Sequence, residues 1–87
     1  MTHFKRLELL CQCGHRFLKY KKGGTGRWLK VHPSRVVKYY DVRFETSIKS
    51  SPGTDINCSQ CEKRVATIQN LGGKFIAKLN QGQIVIQ

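Results

Sequence analysis

Apolar and polar residues alternate in short runs along this chain, and no stretch keeps the 3.6-residue period of a helix for long. Residues 4–10 form an apolar-rich run that leads straight into Cys11 and predicts a strand. Residues 15–22 and 27–31 alternate basic with apolar or aromatic positions around Gly23-Gly24-Thr25-Gly26, which predicts a hairpin with a glycine tip. If the first arm is extended, Phe17 and Lys19 share one side and Leu18 and Tyr20 the other. Pro33 closes the second arm by pushing His32 toward an extended conformation.

Residues 35–44 are rich in β-branched and aromatic side chains, which favours a strand carrying Val36, Lys38, Tyr40, Val42 and Phe44 on one face; a short helix capped by Ser34 is the alternative. Residues 46–54 hold the turn formers of a surface loop. The remaining runs, 64–69, 74–79 and 84–86, are separated by Leu71-Gly72-Gly73 and Asn80-Gln81-Gly82-Gln83, the pattern of an antiparallel meander. The expected class is all-β with little or no helix, in one domain spanning 1–87.

Two breaks in this pattern contain every cysteine, Cys11-Gln12-Cys13-Gly14-His15 and Cys58-Ser59-Gln60-Cys61. Two tight pairs far apart in sequence are how a chain offers four thiolates to one tetrahedral Zn²⁺. Cys58 and Cys61 have C-x-x-C spacing, which lets a turn aim both sulfurs at one ion. Cys11 and Cys13 are one residue closer, so either both bind across the shorter loop or His15 replaces one of them; the two cysteines are favoured, because His15 sits in the strand leaving the turn. Gly14 supplies a residue tolerant of positive φ just after the pair. About 44 residues separate Cys13 from Cys58, against roughly 15–20 in a minimal ribbon, so a bound ion would pin an inserted sheet. With 87 residues the core is thin and a staple is expected.

No run reaches the roughly 18 apolar residues of a membrane span, and the N-terminus lacks a signal-peptide pattern. A cytoplasmic location is expected, where thiols stay reduced and zinc is favoured over disulfides.

The formal charge of +11 changes the picture from scaffold to partner. Residues 1–45 carry +8 of it and residues 46–87 carry +3. An excess of this size attracts polyanions, nucleic acid first and an acidic protein surface second. Arg16, Lys19, Lys21, Lys22, Arg27, Lys30, Arg35 and Lys38 are interleaved with Phe17, Tyr20, Trp28, Tyr39 and Tyr40. Cations hold phosphates while exposed rings stack unpaired bases, so single-stranded nucleic acid or RNA is the expected ligand, with Trp28 as a stacking residue. A protein-interaction adaptor using a sheet edge or a groove at Trp28 is the alternative. An enzyme is not expected: Glu8, Asp41, Glu45, Asp55 and Glu62 are scattered, and four cysteines on the metal leave it no open position. His3, His15 and His32 read as surface residues, with His15 a possible hydrogen-bonding support for the metal ligands.

The order of a cysteine-pair knuckle, Gly24-Thr25-Gly26-Arg27, Asp55-Ile56-Asn57-Cys58-Ser59-Gln60-Cys61 and Gly73-Lys74-Phe75-Ile76 resembles small prokaryotic zinc-ribbon proteins. More distantly it is similar to the zinc-anchored β-tent domains of Yippee proteins, the cereblon ligand-binding domain and methionine sulfoxide reductase B. That resemblance, over most of residues 10–80, implies two antiparallel sheets meeting at a structural zinc held by Cys11, Cys13, Cys58 and Cys61. It does not carry activity across. The reductase needs a further cysteine as nucleophile, and the cereblon cage is built of three tryptophans, whereas this chain has only Trp28.

Overall fold

The computed structural model describes residues 4–23 and 30–87. The elements run β1 (Phe4–Cys11), β2 (Arg16–Gly23), β3 (Lys30–Val31), a 3₁₀ turn (Pro33–Arg35), β4 (Val36–Tyr39), α1 (Val42–Ser47), β5 (Asp55–Asn57), β6 (Arg64–Leu71), β7 (Lys74–Leu79), a second 3₁₀ turn (Gln81–Gln83) and β8 (Ile84–Ile86). The strands form two four-stranded antiparallel sheets, ordered β4-β2-β1-β8 and β3-β7-β6-β5. The all-β class and the two-sheet arrangement expected from the sequence are what the fold shows.

Sheet membership alternates along the chain, so neither sheet is complete without segments that cross from the other. Leu9, Leu18 and Tyr20 from the first sheet meet Val31, Ile56, Ala66, Ile68, Ala77 and Leu79 from the second. Phe44 and Ile48 close one side of this core, both buried. The Tyr20 hydroxyl accepts a bond from the His32 amide at 3.1 Å, so the one polar atom of this buried ring is satisfied where the chain enters the first 3₁₀ turn.

Five local expectations are corrected. Among the described residues the two basic-aromatic runs do not pair: β2 lies between β1 and β4, while β3 joins β7 in the other sheet. Gly23 ends β2, and residues 24–29, with the rest of the glycine tip, lie outside the described residues. β8 leaves the meander and pairs with β1, because the turn at Gln81–Gln83 carries the chain across to the first sheet.

Residues 35–44 are not one strand. Asp41 ends the extended run by accepting from the amides of Arg43 (2.8 Å) and Phe44 (3.2 Å), which caps α1. The helix buries Phe44 and, one turn on, Ile48. Val42 consequently stands 76% exposed, on the other side from its expected partner Phe44. The expected surface loop is accordingly shortened at its start, since Thr46 and Ser47 belong to α1. Phe17 is buried although it was expected beside Lys19. The register slips between Leu9 and Leu10, so Phe17 has no partner on β1 and turns inward against His15 and Phe44, with ring centroids 5.5 and 5.6 Å away.

No helix among the described residues is long and apolar enough to cross a membrane.

Candidate metal centre

Each cysteine pair sits in the turn of a hairpin, one hairpin from each sheet: β1–β2 presents Cys11 and Cys13, and β5–β6 presents Cys58 and Cys61. The two turns are built alike. Each hairpin slips register two residues before the first cysteine, between Leu9 and Leu10 and between Ile56 and Asn57. In each, the residue after the second cysteine is left-handed, Gly14 at φ +96° and Glu62 at φ +66°. That residue donates its N–H to the carbonyl of the first cysteine, Gly14 to Cys11 at 2.8 Å and Glu62 to Cys58 at 2.9 Å. The first cysteine's own N–H then closes the hairpin on the next carbonyl, that of His15 at 2.8 Å or Lys63 at 2.9 Å. The C-x-C turn is thus the C-x-x-C turn with one residue removed from between its ligands.

The four sulfurs lie within 4.8 Å of one another. Two contacts cross from one knuckle to the other, Cys11 to Cys61 at 3.5 Å and Cys13 to Cys58 at 3.6 Å. Sulfurs placed at about 2.3 Å around a tetrahedral ion stand about 3.8 Å apart, so the cluster has the dimensions of a four-thiolate site. All four thiols are free, Cys11 and Cys58 buried and Cys13 exposed. His15 is not a ligand in this arrangement.

Burial opposes ionisation of Cys11, but the Cys13 amide, the Gln83 side chain and the adjoining thiols outweigh it and bring its pKa down to about 6. Gln83 Nε2 is 3.2 Å from the Cys11 sulfur, and the main-chain carbonyl of Gln83 accepts from the Gln12 main-chain amide at 3.0 Å. Burial pushes Cys58 the other way, up to about 12. One thiolate is therefore prepared near neutrality, while another would ionise only as an incoming cation displaces its proton.

Behind the sulfurs lies a group the sequence reading missed. Asp41 is buried at 4% exposure and holds both halves of the site at once. His15 Nε2, just beyond the first knuckle, donates to its Oδ2 at 2.8 Å. Ser59, inside the second knuckle, donates its hydroxyl to the same carboxylate at 2.9–3.0 Å. Burial raises the cost of the charge, and the bonds from Ser59, His15 and the Phe44 and Arg43 amides more than offset it, so the carboxyl is held below the usual range. Asp41 is thus helix cap and strut between the knuckles. The separations of 26 residues to His15 and 18 to Ser59 leave no local signal for the strut, although the cap is visible in Asp41 followed by apolar residues at 44 and 48.

The predicted nucleic-acid residues divide. Arg16, Lys19, Lys21 and Lys38 share the outer face of the first sheet with Arg6, which sequence reasoning passed over. Lys22 faces Lys5 at the end of the same sheet, on the opposite face by strand alternation. Lys30 belongs to the second sheet, opposite Lys78, and Arg35 ends the first 3₁₀ turn. Arg27 and Trp28 lie outside the described residues. Of the rings, Phe17 and Tyr20 are in the core. Tyr40 donates its hydroxyl to Glu8 at 2.9 Å, with Arg16 and Lys38 each 5.4 Å from its ring centre.

No protein-family model, curated protein or solved structure matches the chain.

Proposed function

We propose that this chain is a metal-stapled binding module for nucleic acid, not a catalyst, and that the ion is a single structural Zn²⁺ held by Cys11, Cys13, Cys58 and Cys61. An all-sulfur set of tetrahedral size is the donor environment that suits Zn²⁺ among the common divalent ions. The ion's contribution is structural: it joins two hairpins that belong to different sheets.

One observation carries the choice of nucleic acid. Like charges stand directly opposite each other across neighbouring strands at Lys5↔Lys22, Arg6↔Lys21, Lys19↔Lys38 and Lys30↔Lys78. Directly opposed like charges destabilise a sheet, and on the outer face Glu8, opposite Lys19 and 3.6 Å from Arg16, offsets this only in part. A polyanion relieves that repulsion, and two of the four pairs lie on the outer face of the first sheet. The residues there, Arg6, Arg16, Lys19, Lys21 and Lys38, contact phosphates. With Phe17 and Tyr20 in the core, the reading rests on phosphate contact and not on base stacking. The exposed large apolar residues Val37, Val42, Leu71, Phe75 and Ile86 are distributed over β4, α1, β6, β7 and β8, which gives less support to an apolar docking face for a protein partner.

Fluorescence anisotropy with labelled RNA, single-stranded DNA and duplex DNA tests this. Five phosphate contacts predict a log–log salt slope of about −3.5 for the single strands and about −4.5 for the duplex. Absence of binding to all three at low salt would refute the reading.

A further inference from the structure

The outer face of the first sheet does not end in a flat row of cations. Beyond Lys21 it opens into a cleft of about 300 Å³ lined by Lys21, Ser34, Arg35, Val36 and Val37. β4 is an edge strand, and the 3₁₀ turn before it brings Ser34 and Arg35 alongside the cation on β2. The cleft therefore combines a planar guanidinium that can bind two oxygens at once, an ammonium and a hydroxyl donor. Two valines form an apolar wall, and Val37 is 49% exposed, so the site is open to solvent. Its size is at the small end of ligand sites, suited to one charged group and little of what carries it.

The surroundings add positive charge. His32, which precedes the turn, is held below its ordinary pKa first by burial and then by Arg35, Lys30 and Lys74. Arg35 thus belongs both to the cleft and to the group of cations, with Lys30 and Lys74, whose field reaches His32.

The geometry points to a phosphate-binding subsite in which Arg35 grips two phosphate oxygens while Lys21 and the Ser34 hydroxyl hold the others. This deepens the nucleic-acid reading by naming where on that face one phosphate is fixed, and rests on it only for what carries the phosphate. The carrier is either an internal phosphodiester or a terminal phosphate of a strand, and both present the same chemistry.

¹H–¹⁵N NMR of the metal-loaded protein tests the subsite. Inorganic phosphate at constant ionic strength should give saturable shifts at the amides of Ser34 to Val37, and Arg35→Ala should weaken this binding about tenfold, the loss of a charge-assisted contact. Equal shifts with chloride, no saturable shift, or an unchanged response in Arg35→Ala would overturn it. Arg35 is exposed and its amide bonds to His32 through the main chain, so the variant should fold, which its spectrum reports directly. An oligonucleotide whose 5′-phosphate tightens binding in an Arg35-dependent way identifies a strand end; equal binding of both forms with the same shifts identifies a backbone phosphate. An oligonucleotide that binds without moving Ser34 to Val37 removes the subsite and leaves the nucleic-acid reading standing. Phosphate shifts with no oligonucleotide binding do the reverse.

Discussion

At the scale of single residues, two positions near the sulfurs carry consequences that the cysteines alone do not. Asp41→Ala removes a buried carboxylate that accepts from His15, Ser59 and the amides of Arg43 and Phe44. It should cost about 2–4 kcal/mol, combining a lost helix cap with orphaned donors. Because the folded pKa of Asp41 is depressed, its contribution is complete above the unfolded value of about 3.9 and is lost as pH falls through the lower folded value. Denaturant unfolding of wild type and Asp41→Asn should therefore show a gap that does not narrow between pH 7 and 5. A gap that closes within that range would contradict the assignment. The second position is Glu62, a non-glycine residue at φ +66° whose side chain forms a surface ion pair with Arg43 at 3.2 Å. Glu62→Gly should raise stability by about 0.5–1 kcal/mol by relieving left-handed strain. Gly14→Ala, at φ +96° with open space around its Cβ, should lower it by about 1–2 kcal/mol.

At the scale of elements, what was legible followed from how local its cause is. The knuckles could be read because a cysteine pair and flanking alternation, with a following glycine in the first of them, all fall within about ten residues. The hairpin joining β6 and β7 was readable for the same reason, with Gly72 and Gly73 at positive φ in its turn. The pairing of β2 with β4, and of β3 with β7, was not, because sheet membership is decided by which core each strand can fill and not by its neighbours in sequence. Helix α1 was hidden inside a β-branched run. Its signal was Asp41 as a cap with Phe44 and Ile48 one turn apart, outweighed by Val36, Val37, Tyr39 and Tyr40 just before it. The cation pairs belong to this scale too, since only the register reveals them. Arg6→Glu places a carboxylate opposite Lys21, so its melting temperature should equal or exceed that of wild type while oligonucleotide affinity falls about tenfold. A variant that loses stability and affinity together would show that Arg6 serves the fold instead.

At the scale of the whole molecule, the metal centre and the basic face are parts of one construction. β1 ends at Cys11 and carries Arg6, Leu7 and Leu9 on the way, so the strand that delivers a ligand also builds the outer face and the core beneath it. The opposite ligands come from the second sheet, and Asp41 ties the two turns from behind. Losing the ion should separate the sheets, since the chain crosses between them several times and a small core cannot hold that topology alone. The measurement that tests this most directly is metal content paired with thermal unfolding, before and after chelation. One Zn²⁺ per chain is expected, with a cooperative transition that disappears with the metal and returns on adding it back, and the same loss in Cys58→Ser. A metal-free chain with reduced cysteines that unfolds cooperatively at the same temperature would contradict it.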